Sequence, residues 1–441
     1  MKNISLLHVL AVVVLLTTFV ACDKENKIGS TVKGTRIAVL ENAKGVQPDK
    51  DVQDQKPQLS EPLANKNWPQ VGYDTAHVLP NANVASHPQE VWRSYTGGSS
   101  ESDFKLLARP VVSDGHVFTM GADGLVRAFD TKYGDKLWEF DTTPEDSDEG
   151  AIGGGVGVEG DTVYATTGFG EVVALGVSDG HLKWRHKLIN PLRAAPTIAD
   201  GRVYVVSIDN ELQALDANTG EPLWHHNGIA ESATLLGASN PAVVGDSVII
   251  AYSSGEIFNL RAENGRASWN YALTMPAQVG ALPAIADIRG LPVIDRGRVY
   301  AVSHSGRMAA IDQRTGDRAW EADIGGIDTP VVSGDTVFVL SSDNHVIALT
   351  RESGRVIWTH ELQRYEDPDD HDSDPVLWTG PVLAGNRLWL SNSLKQLVAF
   401  SPDDGHQSDV IELTWPSAIP PVVADGTFYI LTDGGYLEAL R

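Results

Sequence analysis

One pattern recurs along the chain and limits the folds that it can adopt. It consists of a Gly/Asp turn, an alternating apolar strand, a polar turn, a second strand ending in an Ala-Leu-like pair, and a glycine followed four residues later by tryptophan. The stretch QALDANTGEPLW at 213–224 shows its second half most clearly. Successive units lie 38 to 51 residues apart, which is the span of about four strands with their turns. The units occupy 115–138, 160–184, 201–224, 245–269, 297–320, 334–358 and 385–409, the last with Asp409 in place of the tryptophan.

The two ends of this array complete each other. The final stretch GGYLEALR, 434–441, ends before any glycine that is followed four residues later by tryptophan. In contrast, HPQEVWRSYTG, 87–97, is a strand without preceding partner strands. Pairing the two segments in one sheet supplies the missing strand and closes a ring. The sequence therefore predicts an all-β fold: an eight-bladed β-propeller of four-stranded blades over 66–441, closed by pairing of N- and C-terminal segments.

The tryptophans of the repeat are expected to hold neighbouring blades together. A docked indole buries on the order of 200 Å² of surface, so each is a large part of the core and has no chemical role. The predicted blade-docking residues are Trp92, Trp138, Trp184, Trp224, Trp269, Trp320 and Trp358.

The N-terminus resembles a bacterial export signal. Residues 1–22 combine Lys2, an apolar run and the ending FVAC, so they are predicted to be a signal peptide with a lipobox in which Cys22 carries the lipid. Residues 23–65 are polar and are predicted to form a flexible tether. The lipid at Cys22 would then be the only contact with the membrane.

Composition excludes several functions. A formal charge of −24 argues against nucleic acid as a partner. Cys22 is the only cysteine, so no intramolecular disulfide can form. Catalytic motifs and His/Cys clusters are lacking, and the six carboxylates of 366–374 are interrupted by Pro368 and lack the spacing of a calcium loop. We therefore predict no enzyme activity, no cofactor and no metal site.

The repeats resemble those named after pyrroloquinoline quinone dehydrogenases. Together with the lipobox, the tether and NWPQVGYD at 67–74, they most resemble the BamB family, lipoproteins of the outer-membrane β-barrel assembly machinery. The resemblance implies a non-enzymatic scaffold on the periplasmic face of the outer membrane. It also implies that the scaffold binds POTRA domains of the barrel-inserting subunit and other subunits of the complex. Asp23 resembles a residue that retains some lipoproteins in the inner membrane.

The same resemblance suggests partner-binding residues on two loops. In NPLRAAP, 190–196, Leu192 and Arg193 match the family pattern, while Asn190 replaces a leucine. In ADIRGLPV, 286–293, Asp287 matches, while Arg289 reverses the charge of a second aspartate. The residues alone allow another interpretation, in which Leu192 packs between blades and Arg193 pairs internally with Asp287.

Two other functions stay open at this point. The resemblance to quinone enzymes implies a possible periplasmic oxidoreductase, in which the cofactor lies under an adjacent-cysteine disulfide and over a tryptophan, with calcium bound by carboxylates. A lone cysteine cannot supply that disulfide. Aromatic residues predicted to lie on the surface, such as Trp378, Trp389 and Trp415, would instead suit a propeller that binds glycans or the cell wall.

Overall fold

The computed structural model describes residues 45–99, 106–145, 147, 151–274 and 286–441. The predicted signal peptide, Cys22 and residues 23–44 lie outside the described residues. The chain divides into two units, Met1–Gly45 and Val46–Arg441, and the second is the propeller. No described helix is long and apolar enough to cross a membrane.

The propeller unit consists of eight four-stranded antiparallel sheets. Each sheet is one blade, and seven blades use four strands that are consecutive in the chain. Blades 1 to 4 contain β2 (Val111–Ser113), β3 (His116–Met120), β4 (Leu125–Asp130), β5 (Lys136–Asp141); β6 (Gly155–Glu159), β7 (Thr162–Thr166), β8 (Glu171–Gly176), β9 (Leu182–Lys187); β10 (Thr197–Ala199), β11 (Arg202–Val206), β12 (Glu211–Asp216), β13 (Pro222–Asn227); β14 (Ala242–Val244), β15 (Ser247–Ala251), β16 (Glu256–Arg261), β17 (Ala267–Ala272). Blades 5 to 7 contain β18 (Val293–Asp295), β19 (Arg298–Val302), β20 (Met308–Asp312), β21 (Arg318–Ala322); β22 (Val331–Ser333), β23 (Thr336–Leu340), β24 (His345–Thr350), β25 (Val356–Glu361); β26 (Trp378–Ala384), β27 (Arg387–Asn392), β28 (Gln396–Phe400), β29 (Gln407–Glu412).

Blade 8 closes the ring and confirms the predicted pairing of the chain's ends. It contains β30 (Val422–Ala424), β31 (Thr427–Leu431) and β32 (Tyr436–Leu440) from the C-terminus and β1 (Glu90–Tyr95) from the N-terminal part. Strand β1 runs antiparallel to β32, and Trp92 lies opposite Ala439. The predicted number of blades and strands is therefore confirmed as well.

The register explains the Ala-Leu-like pair of the repeat. In seven blades the residue opposite the tryptophan position is alanine, as in Ala214 opposite Trp224, and in blade 4 it is Asn259. A register shift follows directly, as between Ala214 and Leu215. Such bulges increase the local twist of a sheet. The small residue and the bulge together turn the outer strand at the place where its tryptophan meets the next blade.

Each repeat tryptophan docks on the next blade in the same way. The indole Nε1 donates a hydrogen bond to a backbone carbonyl between the third and fourth strands of that blade, at 2.8 to 3.1 Å. The ring covers the glycine of the same turn. A Cβ on Gly134, for example, would lie 2.5 Å from the Trp92 ring, so a larger residue does not fit there. This contact links the two halves of the glycine-tryptophan motif across successive blades.

The exception at Asp409 follows from this geometry. The blade after Asp409 is blade 8, where β32 and β1 are joined by pairing of the chain's ends and no turn connects them. A tryptophan at 409 would have no glycine turn to cover. Asp409 instead accepts a hydrogen bond from Arg387 at 3.2 Å and lies 3.3 Å from the imidazole of His87.

The segment before β1 crosses one face of the disc and contacts the inner strand of every blade. Trp68 exchanges backbone hydrogen bonds with Val112 in blade 1 at 2.7 and 2.8 Å. The inner strand of each of the other seven blades is also hydrogen-bonded to this segment. The pairs are Pro69 with Val158, Gln70 with Ile198, Thr75 with Val243, Ala76 with Ile294, Ser60 with Ser333, Ala82 with Leu383 and Asn65 with Val423. We call residues 58–83 the cap. The cap also bonds the turns that follow inner strands, as with Asn65 and Asp425 or Gln58 and Asp335, so it closes the ring's central channel at the end towards which those strands run.

Residues 46–65 belong to the propeller unit, although the predicted boundary lies at 66. Residues 46–65 had been predicted as part of the tether because they are polar, yet Val52 is buried and the Asp49 N–H donates to the Val356 carbonyl at 2.8 Å. The Gln58 N–H donates to the Asp335 carboxylate at 2.9 Å. The polar composition satisfies turn and strand ends of the propeller, so this stretch packs through hydrogen bonds and needs little apolar surface.

Candidate protein-binding cavity

The central channel is open on the face opposite the cap. It forms a cavity of about 320 Å³ lined by the segments that lead into the inner strands. Val71 of the cap packs against Ala195 and Leu291 and forms the floor. Leucine and isoleucine side chains make up much of the wall: Leu106, Leu107, Leu236, Leu377, Ile327 and Ile419. The described residues therefore form a pocket at the centre of the disc.

Three arginines from alternate blades line this cavity. Arg109 precedes β2 in blade 1, Arg193 precedes β10 in blade 3, and Arg289 precedes β18 in blade 5. Each is partly buried. Within the described part of the chain, none of the three donates a hydrogen bond or forms an ion pair, whereas Arg351, which is more deeply buried, is paired with Asp295 at 2.8 Å. The cavity therefore presents guanidinium groups that form no direct ion pair with any carboxylate of the described residues.

Carboxylates nearby moderate the positive charge without neutralising it. Asp328 also lines the cavity and is 5% exposed, and its Oδ1 accepts a hydrogen bond from the Thr379 hydroxyl at 3.3 Å. Burial raises the pKa of Asp328, while Arg289 and Arg109 oppose that rise. Burial likewise lowers the pKa of Arg109 to about 10. The negative charge of Asp328 opposes this decrease, and the positive charge of Arg289 adds to it. Arg109, Arg289 and Asp328 thus form one electrostatic group.

The structure brings two of the four sequence-predicted contact residues to the cavity. Arg193 and Arg289 line it, although they come from different loops. Asp287 is 2% exposed, and its Oδ2 accepts a hydrogen bond from the Leu235 N–H at 2.7 Å. Burial raises its pKa against the effect of that bond and of Arg289. Asp287 therefore positions the neighbouring loop, and no ion pair joins it to Arg193 in the described residues.

Leu192 requires a correction. Its side chain is 0% exposed and packs with Tyr164 and Val172 of blade 2 and Val203 of blade 3. Its N–H also donates to the Thr167 carbonyl at 3.1 Å. A partner cannot reach this side chain, so the prediction that Leu192 is an apolar anchor of the contact is not supported by its position. The alternative, that Leu192 packs between blades, describes it correctly, and the residue fixes the loop that carries Arg193.

Arg109 was missed by sequence reasoning, although a signal for it exists. Proline directly precedes the inner strand in six blades, at Pro110, Pro196, Pro241, Pro292, Pro330 and Pro421. The residues one to three places before such a proline are those that line the cavity, as with Arg109, Arg193, Arg289 and Asp328. Aligning the repeats on these prolines, instead of on the tryptophans, would have identified Arg109.

The cavity lining does not fit a stacked quinone with calcium. Among the described residues that line the cavity none is aromatic, so they offer no ring on which a planar cofactor could lie. Among the described residues no group of three or more His, Asp or Glu side chains could hold a metal ion. The acidic loop at 366–374 lies elsewhere and is folded through its own turns, with Ser373 Oγ accepting from the Asp367 N–H at 3.1 Å.

The tryptophans suggested for glycan binding do not form one surface. Trp389 is 0% exposed and contacts Phe428. The Trp378 Nε1 donates to the Gln363 carbonyl at 2.9 Å, and Trp415, which is 45% exposed, lies beneath Lys395. Trp389 is therefore a core residue, and its assignment as a surface aromatic was wrong.

Fold and cavity together define a class: an eight-bladed propeller of quinone-type repeats with a capped central channel. The family model described as "Outer membrane protein assembly factor BamB" matches residues 84–150 and 145–360. The chain belongs to this family. It is 26% identical over 373 residues to outer membrane protein assembly factor BamB of Yersinia pestis, covering 83% of this chain and 92% of the relative. To the Escherichia coli K12 protein of the same name it is 26% identical over 369 residues, covering 82% and 91%.

Solved structures share the architecture at lower identity. BamB from Moraxella catarrhalis superposes with a TM-score of 0.64 at 19% identity, covering 79% of this chain and 97% of that one. Quinohemoprotein alcohol dehydrogenase from Comamonas testosteroni gives 0.65 at 13% identity, covering 86% and 81%. At such identities the structural likeness shows the fold alone.

Proposed function

We propose that this chain is a non-enzymatic scaffold of the outer-membrane β-barrel assembly complex that binds POTRA domains of the barrel-inserting subunit through its cavity face. Membership in the family supports the assembly role. The observation that carries the docking site is that Arg193 and Arg289, from two separate loops, converge on one cavity. Function on propellers resides in such connecting segments, because the strands themselves are buried.

The scaffold acts by holding partners, with no turnover. A rigid disc tied across all eight blades by its cap offers a fixed surface, so little ordering is needed on binding. Attachment to the membrane raises the effective concentration of the disc near the assembly machinery, and a modest interface then suffices. The other subunits of the complex are further partners of the same assembly.

The docking site is tested by affinity capture of the barrel-inserting subunit from membranes. We expect Arg193→Ala to lose the partner, whereas Arg266→Ala, which removes an exposed arginine from the outer turn of blade 4, retains it. Circular dichroism of both variants confirms that the propeller is intact. Equal capture by both variants would contradict the assignment.

Cys22 is proposed as the lipid attachment site on the periplasmic face of the outer membrane. Cys22→Ser should release the protein from membranes, and Asp23→Ser should enrich it in the outer-membrane fraction if Asp23 causes retention in the inner membrane. Metabolic labelling with a fatty acid measures the first change, and density fractionation measures the second. A membrane-bound, labelled Cys22→Ser variant would contradict the proposal.

The alternative of a quinone-dependent oxidoreductase has the shared fold of the alcohol dehydrogenases in its favour. Adding pyrroloquinoline quinone and calcium to the purified protein tests it through the absorption spectrum and through alcohol or sugar oxidation. We expect neither a bound chromophore nor turnover, because the described lining of the cavity offers guanidinium and aliphatic groups and no aromatic ring. A stoichiometric chromophore with activity would overturn the scaffold proposal.

A further inference from the structure

The three cavity arginines are partly buried, yet they lack the carboxylate partner that the two buried arginines of the described chain have. Arg127, 8% exposed, contacts Asp123 at 2.8 Å, and Arg351, 9% exposed, contacts Asp295 at 2.8 Å. Arg109, Arg193 and Arg289 have no such contact. A partly desolvated cation without a hydrogen-bonded anion is unfavourable, and the chain has a large excess of carboxylates that could have supplied one. This arrangement is therefore one that a ligand completes.

The charge of the cavity favours an anion. Its described lining residues include three guanidinium groups and two carboxylates, those of Asp328 and Asp433, inside a protein whose formal charge is −24. Asp328 interacts with both Arg109 and Arg289 but forms a direct ion pair with neither. Each guanidinium keeps its planar set of donors available, which is the geometry that binds a carboxylate through two parallel hydrogen bonds.

The apolar wall indicates which groups lie next to that carboxylate in the bound ligand. Leu106, Leu236 and Ile419 line the cavity beside the arginines, and Leu377 is 63% exposed. A volume of about 320 Å³ lies at the small end of ligand pockets, which are roughly 300 to 1,000 Å³. This volume has room for a few side chains of a protein segment, with aliphatic groups against the leucines and acidic groups against the arginines.

We propose that the cavity receives an acidic peptide segment of the protein partner, whose carboxylates bind Arg109, Arg193 and Arg289 and whose adjacent aliphatic side chains contact the cavity wall. This inference rests on the proposed docking face and adds the chemistry of the bound segment, together with Arg109 as a contact residue. The cap is essential to it, because Val71 closes the floor and keeps the segment from passing through the channel.

The test uses the purified full-length protein in detergent and a pair of labelled synthetic peptides. One peptide alternates Leu with Asp and Glu, and the other has Asn and Gln at the same positions. Fluorescence anisotropy measures both, at low and high salt. We expect saturable, salt-sensitive binding of the acidic peptide only, and a loss of about tenfold or more in Arg109→Gln and Arg289→Gln, since a hydrogen bond to a charged group is being removed.

Two further variants control for charge and folding. Arg266→Gln changes the net charge equally but lies outside the cavity, and it should bind like the parent. Arg109→Lys keeps the charge and loses the bidentate geometry, so it should bind with intermediate affinity. Should Arg109→Gln unfold, Arg289→Gln and the salt dependence of the parent still decide the question.

Each result separates the two proposals. Absence of acidic-peptide binding, or an equal loss in Arg266→Gln, would overturn the peptide site while leaving capture of the barrel-inserting subunit unaffected. Arginine-dependent binding of succinate or citrate without peptide binding would also overturn it, in favour of a small-molecule site. Peptide binding that needs Arg109 and Arg289, with no capture of the barrel-inserting subunit, would support the cavity site and refute the proposed function.

Discussion

The contact between Trp92 and Gly134 lends itself to a quantitative test of how neighbouring blades are joined. The Trp92 ring is 9% exposed, its Nε1 donates to the Thr131 carbonyl at 3.1 Å, and Gly134 lies beneath the ring at φ +74°. A Cβ at position 134 would come within 2.5 Å of the ring carbon Cε3. Truncating the ring and adding a methyl group below it therefore perturb one interface from its two sides.

The expected losses in the free energy of unfolding follow from the buried ring area and from the steric overlap at position 134. Trp92→Ala removes a large buried ring and should lower the free energy of unfolding by about 3 to 5 kcal/mol. Gly134→Ala combines a left-handed backbone, costing about 1 to 2 kcal/mol, with overlap against the ring, costing about 1 to 3 kcal/mol. The matched control is Gly201→Ala, which has φ +72° and no atom within 4 Å of the added Cβ, so only the backbone cost applies.

Urea denaturation of the parent, the three single variants and the Trp92→Ala/Gly134→Ala double variant measures these terms as a double-mutant cycle. In the double variant the overlap is absent because the ring is gone. Its loss should therefore fall short of the sum of the single losses by the overlap cost, about 1 to 3 kcal/mol. Strict additivity, or a Gly134→Ala variant no worse than Gly201→Ala, would refute the docking geometry.

Three further predictions concern buried residues of the cap and of the connection that carries Arg193. Burial lowers the pKa of His77 to about 4 from its usual 6.5, so between these pH values the imidazole is protonated in the unfolded chain and neutral in the folded chain. The free energy of unfolding should therefore fall by about 3 kcal/mol as pH drops from 6.5 to 4. Urea denaturation of His77→Asn across the same pH range should show a smaller fall. Leu192→Ala should lower the free energy of unfolding by about 2 to 5 kcal/mol, measured in urea, whereas truncating the exposed Ile189 on the same connection should change it by less than about 0.5 kcal/mol. Trp68→Ala should destabilise the cap by about 3 to 5 kcal/mol and speed proteolysis within 58–83, and unchanged cleavage would contradict the role given to the cap.

The architecture could be predicted because the repeat encodes contacts that are local or between successive units. The glycine, the alanine and the tryptophan each occur once per blade, and their spacing fixes both the register of the third and fourth strands and the docking on the next blade. Ring closure could be predicted by counting strands, because the C-terminal blade lacks a fourth strand and the segment around Trp92 is a strand without partners in its own part of the chain.

The cap and the cavity could not be predicted in the same way. Residues 46–65 contain little apolar surface, and their order depends on hydrogen bonds to Val356, Asp335 and Ser333, which are about 270 to 310 positions away in sequence. The convergence of Arg109, Arg193 and Arg289 likewise depends on the ring bringing every other blade's leading segment to one axis. No window of the sequence shows such contacts, because a channel belongs to the whole ring.

The two faces of the disc have separate roles, and this follows from the direction of the inner strands. All eight inner strands end at the cap, so the segments that precede them lie on the opposite face, where the cavity opens. The chain enters the propeller beside blade 6, where Asp49 and Asp51 lie against Arg355 in the turn that leads into β25. That turn is on the capped face. A partner bound at the cavity therefore approaches from the side away from the point where the N-terminal segment joins the disc, and neither the cap nor residues 46–65 obstruct it.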